Sequence, residues 1–310
     1  MNRCPITYEL SGDRKYSQRG LSLFSIDLKN LNDFPYTAKE QVLLATQFAD
    51  KLSIQGIQPK LSVILNPTKE ILEVVEKGGR YLLKPPHQLY EELPQNKDLT
   101  MKLAEIVNIE VPFQGMVYNI DGSLTYFIKR FDRMNKNQKV GTEDFSQLLG
   151  SSRDTKYDSS MEKVASILEK HCTFPFLEKI KLFRLVIFNF LVGNEDMHLK
   201  NFTLIRRQDK VELSPAYDLL NTTMVLQSKE EIALPIRGKK SRLTRADLVD
   251  YYGLEILRLS EKVLQDEMGR FERAVPLWQE LLAKSFLSQK MQDSYKELIQ
   301  ARWKRLRKEI

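Results

Sequence analysis

A chain of 310 residues is long for one hydrophobic core, so two lobes or domains are expected. Its 42% hydrophobic and 29% charged content is that of an ordinary soluble globular protein, and 48 Lys+Arg against 41 Asp+Glu leave +7, which favours anionic partners without choosing among nucleotides, nucleic acid and acidic proteins. Only Cys4 and Cys172 are present, no CxxC occurs and no apolar run approaches about 18 residues, which excludes a disulfide framework, a zinc site and a membrane-spanning helix. The first residues, Met-Asn-Arg-Cys-Pro-Ile, lack an apolar leader, and a cytoplasmic location is expected.

In chain order, residues 1–36 read as irregular structure or strands. Thr37 and Glu40 form a capping-box signal that starts a helix ending near Lys51. Ser53-Ile-Gln-Gly-Ile-Gln-Pro-Lys60 leads into a strand, Leu61–Leu65, and further strands are expected over Leu72–Val75 and Tyr81–Pro85. A helix from about Asn96 to Val107 precedes strands near Phe113–Tyr118 and Leu124–Phe131, joined by the turn signal Asp121-Gly122. From Thr142 the pattern turns helical. Helices are expected over 161–171, 176–192, 244–252, 257–270, 273–283 and 289–308, with a polar loop at Ser151–Ser160. The helix over 176–192 is apolar almost all round and should be buried. This order predicts an α+β, bilobal, protein-kinase-like fold: a strand-rich lobe over 1–132 and a helical lobe over 133–310.

The chemistry concentrates after Gly193, where Asn-Glu-Asp-Met-His-Leu-Lys-Asn201 follows the apolar helix. Asp196 and Asn201 have the Asp-x-x-x-x-Asn spacing of phosphoryl-transfer enzymes, in which the acid orients the attacking hydroxyl and the amide holds a metal. Asp218 supplies the second acid such a site needs, so Asn201 and Asp218 are expected to hold Mg²⁺. Lys200 reads equally as a neutraliser of the transferring group or as a surface lysine. His198 reads as a brace for the loop. Lys84 emerges from an apolar strand and needs an anion, the α/β-phosphates in a kinase lobe. Its acidic partner is left open among Glu91, Glu92, Asp98 and Glu105. Lys129-Arg-Phe131-Asp132-Arg133 lies where a linker would read adenine through its backbone and ribose through Asp132. By itself, Ser53–Lys60 reads as a plain strand-entry turn, poor as a phosphate-cradling loop.

Four segments carry a family resemblance: Gly193–Phe202, Ser214-Pro-Ala-Tyr-Asp-Leu-Leu220, Lys129–Arg133 and Glu143-Asp-Phe-Ser-Gln147. Together they resemble the HipA family of bacterial serine/threonine kinases, toxins of type II toxin–antitoxin modules, over roughly residues 37–260. The resemblance implies that Ser53–Lys60 is a Gly-rich loop, with Ser53 autophosphorylated and Gly56 and Lys60 contacting phosphate. It implies ATP and Mg²⁺ as cofactors, and an aminoacyl-tRNA synthetase as the protein substrate. Full-length members carry an additional N-terminal subdomain of roughly a hundred residues, about the size of a small domain. This chain starts almost at the kinase core, which is similar to the short HipT-like branch of HipBST modules. Partners would then be a HipS-like small protein and a HipB-like DNA-binding antitoxin, with DNA met only through the latter and no membrane. The family often has an acid where this chain has Lys129, which leaves a backbone contact to adenine.

The mechanism expected is γ-phosphoryl transfer to a protein Ser or Thr, with phosphate on Ser53 adding about −1.5 to −2 charge beside the bound nucleotide and lowering activity. Two other readings compete. Lys284, Lys290, Lys296, Arg302, Lys304, Arg305, Arg307 and Lys308 make the last helices basic, as a kinase-fold scaffold in a DNA-bound repressor complex would need; such helices are more often solvated faces. A lipid or small-molecule kinase is the third reading.

Overall fold

The structure is a computed structural model that describes residues 2–49, 59–87, 89–133, 138–150, 156–226 and 229–307. Ser53, Gly56 and Lys308 lie outside the described residues. Contacts divide the chain into two units. One comprises Met1–Asp98, Pro112–Asn137 and Lys284–Leu287; the other comprises Leu99–Val111, Gln138–Ala283 and Ser288–Ile310. No helix among the described residues is long and apolar enough to cross a membrane.

The first unit opens with a short antiparallel pair, β1 (Asn2–Arg3) and β2 (Leu10–Gly12), followed by a helix, α1 (Gln18–Phe24). That helix corrects the reading of residues 1–36 as strands or irregular structure. Its start signal is Ser17, whose hydroxyl accepts from the Gly20 N–H, but two turns give too little periodicity to read. Next comes α2 (Ala38–Ala49), capped as the sequence suggests: the Thr37 N–H donates to Glu40 at 2.7 Å and the Glu40 N–H donates to the Thr37 hydroxyl at 3.3 Å.

Five strands then build one antiparallel sheet: β3 (Leu61–Asn66), β4 (Ile71–Val74), β5 (Tyr81–Lys84) and, after helix α3 (Leu93–Ile106), β6 (Gln114–Tyr118) and β7 (Leu124–Lys129). Their order is β4-β3-β5-β7-β6. The β6–β7 turn uses Gly122 at φ +79°, a left-handed position that suits glycine, and its N–H donates to Asn119. Phe24 of α1 packs with Tyr81, Phe113 and Phe127 in one aromatic cluster, with ring centroids 4.7–5.4 Å from Phe24.

The second unit contains β8 (Thr142–Asp144), α4 (Phe145–Leu148), α5 (Met161–His171), α6 (Pro175–Val192), β9 (Thr203–Arg207) and β10 (Lys210–Leu213). After them come α7 (Thr223–Leu226), a π-helix over Ala246–Ile256, α8 (Glu261–Ala283) and α9 (Gln289–Leu306). Strands β10, β9 and β8 form a small antiparallel sheet in that order. Neither β8 nor β10 is expected from the sequence, because Thr-Glu-Asp and Lys-Val-Glu-Leu carry too few apolar residues to mark a strand. A break between residues 270 and 273 is also wrong. Helix α8 continues through Pro276, whose ring points to solvent while Phe271, Ala274, Val275, Trp278 and Leu282 keep one face buried.

Two features of this unit place the loops discussed next. Helix α6 is buried along most of its 18 residues and ends at Gly193, which adopts φ +76°. A Cβ there would meet Leu298 at 2.6 Å and Thr223 at 2.7 Å, so only glycine closes the helix at this spot. The hairpin β9–β10 pairs Leu204 with Leu213. The segment entering β9 and the segment leaving β10 therefore emerge at the same end of the sheet.

Candidate active site

Residues 193–202 enter that hairpin and residues 214–223 leave it, and hydrogen bonds join the two segments at both ends. At the near end, the Thr222 and Thr223 N–H groups donate to the Gly193 carbonyl at 2.8 and 3.0 Å, and the Glu195 N–H donates to the Thr222 hydroxyl at 2.6 Å. At the far end, the Tyr217 phenol donates to the Lys200 carbonyl at 2.8 Å and meets the Thr203 hydroxyl at 2.6 Å. The Ser214 N–H donates to the Thr203 carbonyl. The pair of loops is thus a single hydrogen-bonded body, which is what a preorganised site requires.

Within it, Asp196 is partly exposed and one oxygen of its carboxylate accepts from the Tyr157 phenol at 2.5 Å. A one-turn 3₁₀ helix, Leu199–Asn201, carries Lys200 and Asn201. The Asn201 amide nitrogen donates to the Asp196 carbonyl at 2.7 Å. That bond assigns the amide nitrogen to Asp196 and leaves Oδ1 as the acceptor end, the end a metal would meet. Asp218 sits at φ +60°, a left-handed backbone that aspartate tolerates better than most residues and that recurs at functional sites. Buried Leu219 and Leu220 follow it and anchor that conformation. A cavity of about 100 Å³ lies where Asn201, Phe202, Ser214 and Pro215 meet Lys181, Arg184 and Leu185 of α6; neither Asp196 nor Asp218 lines it.

His198 lies between these groups. Its Nε2 is 2.9 Å from the Lys156 ammonium and 3.8 Å from Asp196, and its Nδ1 is buried with no hydrogen-bond partner among the described residues. Burial lowers its pKa below the ordinary histidine value against the charge of Asp196, with Lys156 adding to the lowering and Asp218 opposing it. The imidazole is therefore neutral at neutral pH, and both acids act on it. The Lys156 ammonium faces Nε2, so the lone pair a base would use is already engaged.

An ion pair anchors the loop from behind. Buried Glu195 accepts from Arg302 of α9 at 3.3 Å and from the Thr223 hydroxyl at 2.5 Å, while Arg302 donates to the Phe190 carbonyl at 2.6 Å. This corrects the reading of the last helix as uniformly basic surface. Arg302 is buried, and Arg305 is spent on Glu231 and the Leu243 carbonyl. Its signal is legible afterwards: Tyr295, Ile299, Arg302 and Leu306 lie on one helical face, and an arginine in an apolar stripe needs a buried acid. Glu195, Arg302, Thr222, Tyr217, Lys156 and Tyr157 are all missed by motif reading, because they act through other groups.

The remaining candidates belong to the first unit. Lys84 ends β5 and is buried, paired in register with Tyr126 of β7. Of its possible acidic partners, Asp98 is fully buried and Glu105 belongs to the other unit. Lys60 is half-buried just before β3. The Lys129 side chain is exposed, and the Lys129 and Arg130 N–H groups are taken by the Phe113 and Arg80 carbonyls. The Lys129 and Arg130 backbone donors are therefore committed within this unit. Burial works against the charge of Asp132, but the Arg130 hydrogen bonds at 2.7 and 2.9 Å, with Arg133 beside them, hold its carboxyl below the usual range.

The expected Mg²⁺ fits this donor set in one respect. Among the described residues no group of three or more His, Cys, Asp or Glu is placed to hold a metal alone. Magnesium characteristically takes one or two protein oxygens and completes its shell with phosphate and water oxygens, which the Asn201 amide oxygen and the Asp218 carboxylate are suited to supply.

Comparison with known proteins places these features in a family. The model for the HipA-like C-terminal domain matches residues 52–297. The "Putative kinase" of Haemophilus influenzae is 29% identical over 73% of this chain and 69% of its own length. The serine/threonine-protein kinase toxin HipA of Shewanella oneidensis is 27% identical over 60% of this chain. The chain spans about half, 47%, of that toxin's length. Among solved structures, Shewanella oneidensis HipA, in complex with HipB and operator DNA, superposes with a TM-score of 0.68 over 90% of this chain and 72% of that one, at 22% identity. The Helicobacter pylori proinflammatory kinase CtkA superposes at 0.58 over 83% of this chain and 91% of that one, at 15% identity. The mixed α/β fold is kinase-like, as the element order implies.

Proposed function

The chain belongs to the HipA-like C-terminal domain family, and on that premise we propose that it is an ATP-dependent serine/threonine protein kinase. The observation that carries the reading is the joining of the Asp196–Asn201 loop to the Asp218 segment through Tyr217 on Lys200 and Thr222 on Glu195. In this reading Asp196 accepts the hydrogen bond of the attacking hydroxyl and orients it. Asn201 and Asp218 hold Mg²⁺, which when bound neutralises charge on the transferring phosphoryl group. His198 holds the loop's shape as a neutral ring, and Lys200 offers a positive charge beside Asp196. Residues 1–132 form the nucleotide-covering lobe and 133–310 the catalytic one. Lys84 takes the phosphates. Ser53, Gly56 and Lys60 belong to the covering loop, with Ser53 the autophosphorylation site. Phe131 and Asp132 serve adenine and ribose, Lys129 having its N–H committed to Phe113, and the Arg130 and Arg133 contacts to Asp132 must yield for a ribose hydroxyl to reach it.

A HipB-like DNA-binding partner is supported by the neighbour solved with HipB and operator DNA. A HipS-like partner, a toxin role in a HipBST-type module and an aminoacyl-tRNA synthetase substrate follow from the family resemblance. The test is transfer of label from γ-labelled ATP to lysate proteins. Label on protein Ser or Thr with wild type, and none with Asp196→Asn, supports the reading. Label confined to metabolites or lipids overturns it.

A further inference from the structure

The polar stretch before α5 sets two side chains directly on the Asp196 loop. Tyr157 donates its phenol to Asp196 at 2.5 Å, and its ring meets the His198 imidazole edge-on with centroids 5.1 Å apart. Lys156 reaches His198 Nε2 at 2.9 Å, lies 4.8 Å over the Tyr157 ring and accepts the Leu199 N–H on its main-chain carbonyl. Four contacts thus seat one dipeptide on the loop, although Tyr157 itself is 39% exposed.

The chemistry at Asp196 gives this placement its meaning. A hydroxyl that donates to the orienting carboxylate occupies the place an acceptor hydroxyl must take, and Oδ1 cannot serve both in line. The edge-to-face contact with His198 and the Lys156 contacts hold the phenol where an incoming serine or threonine would arrive. We propose that Lys156–Tyr157 is an intramolecular plug of the acceptor subsite: it imitates a bound substrate hydroxyl and must be displaced by a protein acceptor. The proposal rests on the kinase reading. It makes Tyr157 a determinant of acceptor affinity, separate from the nucleotide residues. Burial and the Asp196 carboxylate push the Tyr157 phenol up, so it keeps its proton and stays a donor in this contact.

The experiment is steady-state phosphorylation of dephosphorylated casein by the full chain with Mg-ATP, comparing wild type, Tyr157→Phe and Lys156→Met. Phenylalanine keeps the ring and removes only the donor, so the fold is retained. The result expected is a fall in KM for casein of about tenfold in Tyr157→Phe, the factor one charge-assisted hydrogen bond is worth, with KM for ATP unchanged. Lys156→Met shifts the same parameter the same way. Equal casein KM in wild type and Tyr157→Phe overturns the plug while leaving the kinase intact. Phosphate mapped onto Tyr157 also overturns it, since the residue would then be an acceptor. No label on casein or on lysate protein from either variant or wild type overturns the kinase reading, and the plug falls with it.

Discussion

The Tyr217 phenol donates to the main-chain carbonyl of Lys200 at 2.8 Å, so the residue before Asp218 is tied to the residue before Asn201. The spacing of the two proposed metal-holding side chains is thereby set by one hydrogen bond between their neighbours. Tyr217→Phe removes it and keeps the ring. The expected outcome is a stability loss of about 1 kcal/mol and a Mg²⁺ concentration for half-maximal activity raised severalfold, read from unfolding midpoints and a Mg²⁺ titration of phosphoryl transfer.

Glu195 and Arg302 form a pair with side chains 4% and 6% exposed. Breaking it from one side leaves a buried carboxylate without its countercharge, so Arg302→Met should cost about 3 kcal/mol or more by denaturant unfolding. Glu195→Gln combined with Arg302→Met should recover part of that loss. Equal stability of Arg302→Met and wild type would contradict the buried-pair account.

Gly193 combines a left-handed backbone with neighbours at 2.6–2.9 Å from any added Cβ. Gly193→Ala should destabilise by about 1–3 kcal/mol, from strain and the displacement of Thr223 and Asn221. Because Thr223 also holds Glu195, activity should fall by more than the folded fraction does, as a thermal melt and an assay on the folded protein will read.

His198 has a folded pKa below its unfolded value, so the unfolded chain binds more protons in the window below about pH 6.5. Its contribution is full above that pH and is lost as pH falls through the folded pKa. The charges that face it are Lys156, Asp196 and Asp218. Comparing wild type with His198→Asn at pH 7.5 and pH 5.5, the wild type should lose more stability on acidification. An identical pH dependence in the two proteins would contradict this.

The long periodic elements were legible in the sequence. The helix over 176–192, the strand at Leu61 and the Thr37–Glu40 cap all lie where their patterns put them. The short elements divided: β4 and β5, four residues each, were legible as apolar runs, whereas β8 and β10 owe their existence to pairing with β9 rather than to any pattern of their own. The same division holds for the loops. Asp196, Asn201 and Asp218 are proposed from residue type and spacing, and the structure carries them on two hydrogen-bonded loops. Tyr217, Thr222 and Arg302 could not be found that way, because a positioning residue is identified by what it touches across 17 to 107 positions of chain.

The central claim is that these two loops direct a phosphoryl group from nucleotide to hydroxyl, and intact-mass analysis with peptide mapping after incubation with Mg-ATP tests it most directly. Wild type should gain one phosphate, located on Ser53, and Asp218→Asn should gain none. The same gain in both proteins, or none in wild type starting from phosphatase-treated material, would contradict the account.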